Sequence, residues 1–202
     1  MTKKVLVWDV PTRVFHWLQA VSFLGAYLTS DSEKTREIHI TLGFILFGLI
    51  AFRLVWGFVG TKHARFSSFI FRPEAVITYV RSLFKNDAQH FVGHNPIGSI
   101  AIWLLLGMGI GLGVTGVLLL QDDVADSVVD IHAYLTNGML VVIAGHLIGV
   151  AMSSFLHKEN LVRAMITGYK KAPEQHGITH GYAWLGAALV VAAAVFAYLY
   201  NR

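Results

Sequence analysis

Five stretches of the chain are apolar for close to the length of a membrane span, and polar residues gather between them. The stretches are 14–29, 38–59, 96–120, 131–155 and 182–200. About 20 predominantly apolar residues in a helix cross a hydrocarbon core, so the pattern predicts five transmembrane helices. The first is the shortest, and residues 1–13 before it lack the small-residue site of a cleavable signal. It is therefore expected to remain as a helix. Residues 66–85 are broken in the middle by Arg72-Pro73-Glu74 and are not expected to span. From Pro73, however, Val76, Tyr79, Val80, Leu83 and Phe84 recur at helical spacing. This predicts an amphipathic helix over 73–85, lying either at the membrane interface or as an ordinary loop helix. The whole of 1–202 reads as one integral membrane domain of all-α class.

Composition sharpens the picture. Only 14% of residues are charged, against about 25% in soluble domains, and the charges cluster in the links. The absence of Cys excludes iron–sulfur clusters, thiolate zinc sites and covalent c-type haem. The net charge of +4 could suggest nucleic acid, but its distribution follows topology instead. Lys3, Lys4, Arg13, Arg53, Lys62, Arg65, Arg72, Arg81, Lys85, Lys158, Arg163, Lys170 and Lys171 all fall on one side of the five-helix arrangement, while Lys34, Arg36 and Arg202 fall on the other. By the positive-inside tendency, the N-terminus is cytoplasmic. The link 121–130 has no Lys or Arg and carries Asp122, Asp123, Asp126 and Asp130. Exclusion of positive charge from an outside loop accounts for it, with attraction of a basic partner as the alternative.

No Asp or Glu lies within the five stretches, so the ionisable groups there are Arg53 and the histidines His16, His39, His132 and His146. Ionisable groups at membrane depth are costly and usually functional. His132 and His146 are 14 residues apart, roughly 40° short of four turns, so they share a helix face about 21 Å apart along the axis. The direction of each stretch puts His16 and His146 at the inner level and His39 and His132 at the outer. Two stacked haems, each gripped by two imidazoles from different helices, require this arrangement. With both axial positions filled, such iron moves electrons rather than activating a substrate. Hydrogen bonding between helices explains one such histidine well and four paired ones poorly.

Glycines are frequent where a flat cofactor would need room. The third stretch reads GMGIGLGVTG over 107–116, and Gly43, Gly48, Gly138, Gly145 and Gly149 occur in the second and fourth. Close helix packing is the simpler explanation for most of them. Arg53, also 14 residues beyond His39, and Arg13 could pair with haem propionates or serve as snorkelling anchors. The remaining histidines, His63, His90, His94, His157, His176 and His180, fall in links and are expected to be solvated. His90/His94 and His176/His180 have the spacing of helical metal pairs but lack a third ligand.

Several segments resemble the bacterial cytochrome b561 family, especially its branch of nickel–iron hydrogenase b-type cytochrome subunits. They are WDVPTRVFHW (8–17), IHITLG (38–43), FRLVWGFVGTKHARFSSFI (52–70), GHNPIG (93–98), IHAYLTNGMLVVIAGH (131–146) and HKENLVRAMITG (157–168). The resemblance implies a four-helix bundle holding two non-covalent haem b groups, with ligands at His16, His39, His132 and His146. It also implies electron transfer in the bacterial inner membrane between the quinone pool and a partner, either a hydrogenase or a periplasmic c-type cytochrome. The fifth helix carries no histidine and departs from the pattern, offering a surface for a partner or a second copy of the chain. Two competing classes are a transporter or metal-ion permease, for which intramembrane carboxylates are missing, and a structural anchor, which leaves the four histidines unexplained.

Overall fold

In the structure, a computed structural model describing residues 3–83 and 89–202, seven α-helices follow one short strand. Strand β1 (Lys3–Leu6) leads into α1 (Val10–Leu28), α2 (Arg36–Val59), α3 (Pro73–Leu83), α4 (Pro96–Leu118), α5 (Asp126–Leu156) and α6 (Leu161–Thr167), then strand β2 (Tyr169–Ala172) and α7 (Ala183–Tyr200). Four segments are long and apolar enough to cross a membrane: Glu33–Val59, Pro96–Leu118, Asp126–Leu156 and Ala183–Tyr200. This is a multi-pass membrane architecture. Helix α1 is less apolar than these because it carries Arg13, His16 and Gln19.

Capping chemistry moves the helix starts away from the edges of the apolar stretches. Helix α1 begins at Val10, ahead of its apolar run, because Asp9 accepts from Thr12 N at 2.7 Å and Pro11 fits a first turn. Asn95 caps α4 in the same way through Gly98 N. Helix α5 starts at Asp126 and absorbs half of the acidic link, since Asp126 and Asp130 sit in its first two turns, where the helix dipole favours negative charge. The expected helix at 73–85 is present over Pro73–Leu83; Phe84 and Lys85 lie outside the described residues.

The helices run alternately up and down. Leu42 fills the space over Gly25 between α1 and α2, Phe47 that over Gly113 between α2 and α4, and Leu135 that over Gly111 between α4 and α5. Helix α7 runs beside α1, with Gly186 against Val10 and Val14 at one end and Asn201 donating to Thr41 at the other. At Gly113 an added Cβ would fall 2.0 Å from Phe47, so that crossing needs glycine. Helix α5 lies along α4 but touches α1 and α2 only sparsely among the described residues. A slot therefore remains between the α1/α2 pair and α5, with α4 as its back wall.

Neither strand was predicted. They pair antiparallel with Lys3 opposite Ala172 and Leu6 opposite Tyr169, forming a cap at the end of the bundle where the N-terminus lies. Val7 N and Trp8 N both donate to Gly168 O. Gly168 ends α6 at φ +85°, where a Cβ would meet Trp8 O at 2.7 Å. Val5, Val7, Trp8, Ala164 and Ala172 make the small core of this cap.

Candidate functional site

Histidines occupy both ends of the slot. At the end away from the N-terminus, the rings of His39 on α2 and His132 on α5 face each other with centroids 6.5 Å apart. An imidazole nitrogen binds a first-row metal at about 2 Å and sits roughly 1 Å from its ring centre, so two rings sharing one ion should stand about 6 Å apart. The observed spacing suits one metal between them.

Hydrogen bonds also orient both rings. His39 Nδ1 lies 2.8 Å from the carbonyl of Ala26, which can only accept, so Nδ1 carries the proton. His132 Nδ1 lies 2.8 Å from Thr115 Oγ1. That hydroxyl donates its single hydrogen to Gly111 O at 2.7 Å, so toward His132 it accepts. In both rings Nε2 is left with its lone pair for a metal, the pattern that outer partners impose on ligating histidines.

At the opposite end, His16 on α1 lies within electrostatic range of His146 on α5. These two lack the close ring-to-ring geometry of the other pair. Around them, polar atoms are buried without partners: His16 Nδ1, Arg53 Nη1, Arg13 Nε and His94 Nδ1. Arg53 is buried beneath Phe66 and Phe69, with its guanidinium carbon 5.0 and 5.8 Å from their ring centres. Arg13 is turned toward the cap, donating through Nη1 to Ile166 O.

Two further residues stand beside this end: Asp9, which has no functional reading in the sequence, and His94, whose spacing from His90 suggests only an incomplete metal pair. Asp9, 1% exposed, accepts from Thr12 N, from Trp56 Nε1 at 3.3 Å and from Thr61 Oγ1. It thereby ties the start of α1 to the end of α2. His94 was expected to be solvated but is wedged between Trp8 and Phe69, with ring centres 4.7 and 4.6 Å away. Burial, reinforced by the charges of Arg53, His63, Lys170 and His146, pushes it down to about 3. His63 is likewise buried, donating through Nε2 to the His176 carbonyl at 2.8 Å, and burial lowers it as well. The reason is the cap, which folds over both loops and removes them from water. A signal was present in the apolar neighbours Trp8, Phe66 and Phe69, but their convergence is a tertiary fact.

The other link histidines form no metal centre. His90 and His94 lie in a non-helical, bent stretch before α4, so the four-residue spacing does not align them on one face. His90 instead meets His157, with ring centres 5.1 Å apart, and approaches Glu159, which pairs with the buried Lys170 at 3.1 Å. Among the described residues, no group of three or more His, Cys, Asp or Glu is placed to hold a metal ion.

Residues 7–168 match the model of the prokaryotic cytochrome b561 family. The chain belongs to that family. Cytochrome b561 proteins are membrane electron carriers, and membership implies haem b. A "Probable Ni/Fe-hydrogenase B-type cytochrome subunit" of Rhizobium leguminosarum bv. viciae is 24% identical, with 82% of this chain and 88% of that protein aligned. The Azotobacter vinelandii protein of the same name is also 24% identical over the same shares. A "Probable Ni/Fe-hydrogenase 1 B-type cytochrome subunit" of Escherichia coli (strain K12) is 22% identical, over 81% of this chain and 89% of its own length. No solved structure matches the chain significantly.

The residues present fit haem b. Two oriented imidazoles face each other at one end of the slot, and orphaned cationic donors suited to propionates stand at the other. Beside the histidines, Gly43 is four residues from His39 and Gly149 three from His146, and a Cβ at either would meet nothing within 4 Å. Both leave space on the histidine face of their helices.

Proposed function

We propose that this b561-family protein is a dihaem b-type cytochrome that carries electrons across the bacterial inner membrane, between the quinone pool and a partner redox protein. The observation that carries this reading is the facing of His39 and His132 with both Nδ1 protons engaged and both Nε2 atoms free. His16 and His146 supply the second pair of ligands, and α1 serves as a fifth span beside the four more apolar ones. Haem, held by these histidines, would supply a one-electron iron couple. Ala26 and Thr115 hold the outer imidazoles in the ligating tautomer. Arg53 and Arg13 would offer positive donors to the propionates of the inner group.

The basic links support a cytoplasmic N-terminal end, and on that reading His16 and His146 are inner and His39 and His132 outer. A quinone would meet the inner level near Arg13, Arg53 or the His94-Asn95-Pro96 turn. The partner is a Ni/Fe-hydrogenase, as the names of the relatives suggest, with a periplasmic c-type cytochrome as the alternative. Helix α7 offers an exposed apolar face to that partner, to a second copy or to lipid, with Trp184, Val191, Tyr198 and Leu199 on its surface. A metal-ion permease is less well supported, because no cluster of metal-binding side chains exists among the described residues.

Haem quantitation on purified protein tests the reading. Wild type should carry two equivalents per chain. His39→Ala or His132→Ala should each remove one, and His16→Ala or His146→Ala the other. Colourless protein that binds free transition ions would support the permease instead.

A further inference from the structure

Each helix that carries a proposed ligand also sends a side chain seven residues from that ligand into a single buried cluster. Phe23 is seven residues after His16, and Leu46 seven after His39. Met139 is seven after His132 and seven before His146. Seven residues are roughly 20° short of two turns and ~10.5 Å of rise, so all three side chains lie on the histidine faces of their helices, midway between the two levels. They meet there. Phe23, Leu46, Ile50, Leu112 and Met139 form one cluster, with Met139 and Ile50 each 1% exposed. The back wall is cut away to receive it: a Cβ at Gly109 would fall 2.3 Å from Ile50 Cδ1 and 3.7 Å from Met139 Cε.

We infer that Met139, Phe23 and Leu46 form an apolar septum that closes the slot at mid-membrane and gives the two haem levels a common dry wall. This rests on the dihaem reading. Ferric haem carries one more positive charge than ferrous haem, and an apolar wall disfavours the more charged form. The septum therefore holds both iron couples toward the reduced state. Met139 is equidistant from the two levels, so a polar group there acts on both couples together. These three are positioning residues, since none is placed to ligate iron.

The test is potentiometric titration of the purified, haem-loaded full chain carrying Met139→Gln, a change that keeps length and adds an amide dipole, beside Met139→Leu. Met139→Gln should retain two haems, while the ferrous-to-ferric ratio at fixed potential falls in both by roughly threefold to tenfold, a tenfold change being about 59 mV for one electron. Met139→Leu should leave both couples at wild-type values. Leu46→Gln approaches the same wall from α2 and should also move both, which keeps the test available if Met139→Gln does not fold. Two haems with unmoved couples, or a shift confined to one, would overturn the septum and leave the dihaem reading standing. A fully loaded wild type with fewer than two haems would instead overturn the dihaem reading, and the septum with it.

Discussion

Thr115 Oγ1 accepts from His132 Nδ1 at 2.8 Å because its own hydrogen is committed to Gly111 O. The threonine therefore decides which nitrogen of His132 is free, although it lies 17 residues away on the neighbouring helix. Removing such an outer partner typically costs about 10–100-fold in metal affinity. Thr115→Val should weaken retention of the outer haem on that scale during dilution. It should also raise that haem's midpoint, because a less basic imidazole stabilises ferric iron less. Thr115→Ser should restore both. Haem retention and redox titration measure this, and an unchanged outer haem in Thr115→Val would contradict it.

Asp9 joins the start of α1 to the end of α2 through four hydrogen bonds, to Thr12 N, Trp56 Nε1 on both oxygens, and Thr61 Oγ1. Asp9→Asn keeps the shape but loses the charge and turns one acceptor into a donor. The expected loss is on the order of 2–4 kcal/mol, combining a cap with bonds to a buried charged acceptor. Thermal unfolding in detergent should show a clear drop for Asp9→Asn and a smaller one for Thr61→Val.

Glycines in this chain divide into two kinds, which separate under mutation. Gly113 and Gly57 have ring atoms 2.0 and 2.2 Å from where a Cβ would sit. Gly113→Ala should force Phe47 aside and cost about 1–3 kcal/mol, visible in the unfolding of haem-free protein. Gly43 faces open space. Gly43→Leu should leave haem-free stability close to wild type while reducing haem content. The reverse pattern would place the macrocycle elsewhere.

Acid should loosen the cap. His94 is held at about 3 by burial first and by the neighbouring charge of Arg53 next, whereas an unfolded histidine titrates near 6.5. Above that value both states are neutral and the term vanishes. Between about 6.5 and 3 the unfolded chain takes up a proton that the folded one refuses, so stability falls as pH drops. His63 and His157 are lowered too and add the same sign. The melting temperature in detergent should fall from pH 7 to pH 5, and His94→Gln should flatten that slope without abolishing it.

The long apolar helices and their order, though not the short α6, could be read from the chain because a span needs only length, apolarity and flanking charge, all local properties. The shared faces of His132, Met139 and His146, and of His39 and Leu46, follow from the fixed rotation of a helix per residue. The strands β1 and β2 could not be foreseen in this way. Each has four residues, and a strand so short is stable only through a partner more than 160 positions away. The burial of His63 and His94 depends on that same cap. The position of each histidine in its stretch, with the direction of that stretch, puts His39 and His132 at one depth, but only the crossing of α2 and α5 over the α4 glycines sets their rings 6.5 Å apart. Ala26 and Thr115 belong to other helices than the rings they orient. Periodicity along one helix says where a side chain points; the nearest atom on the next helix depends on how close the backbones pack, and that is decided between helices.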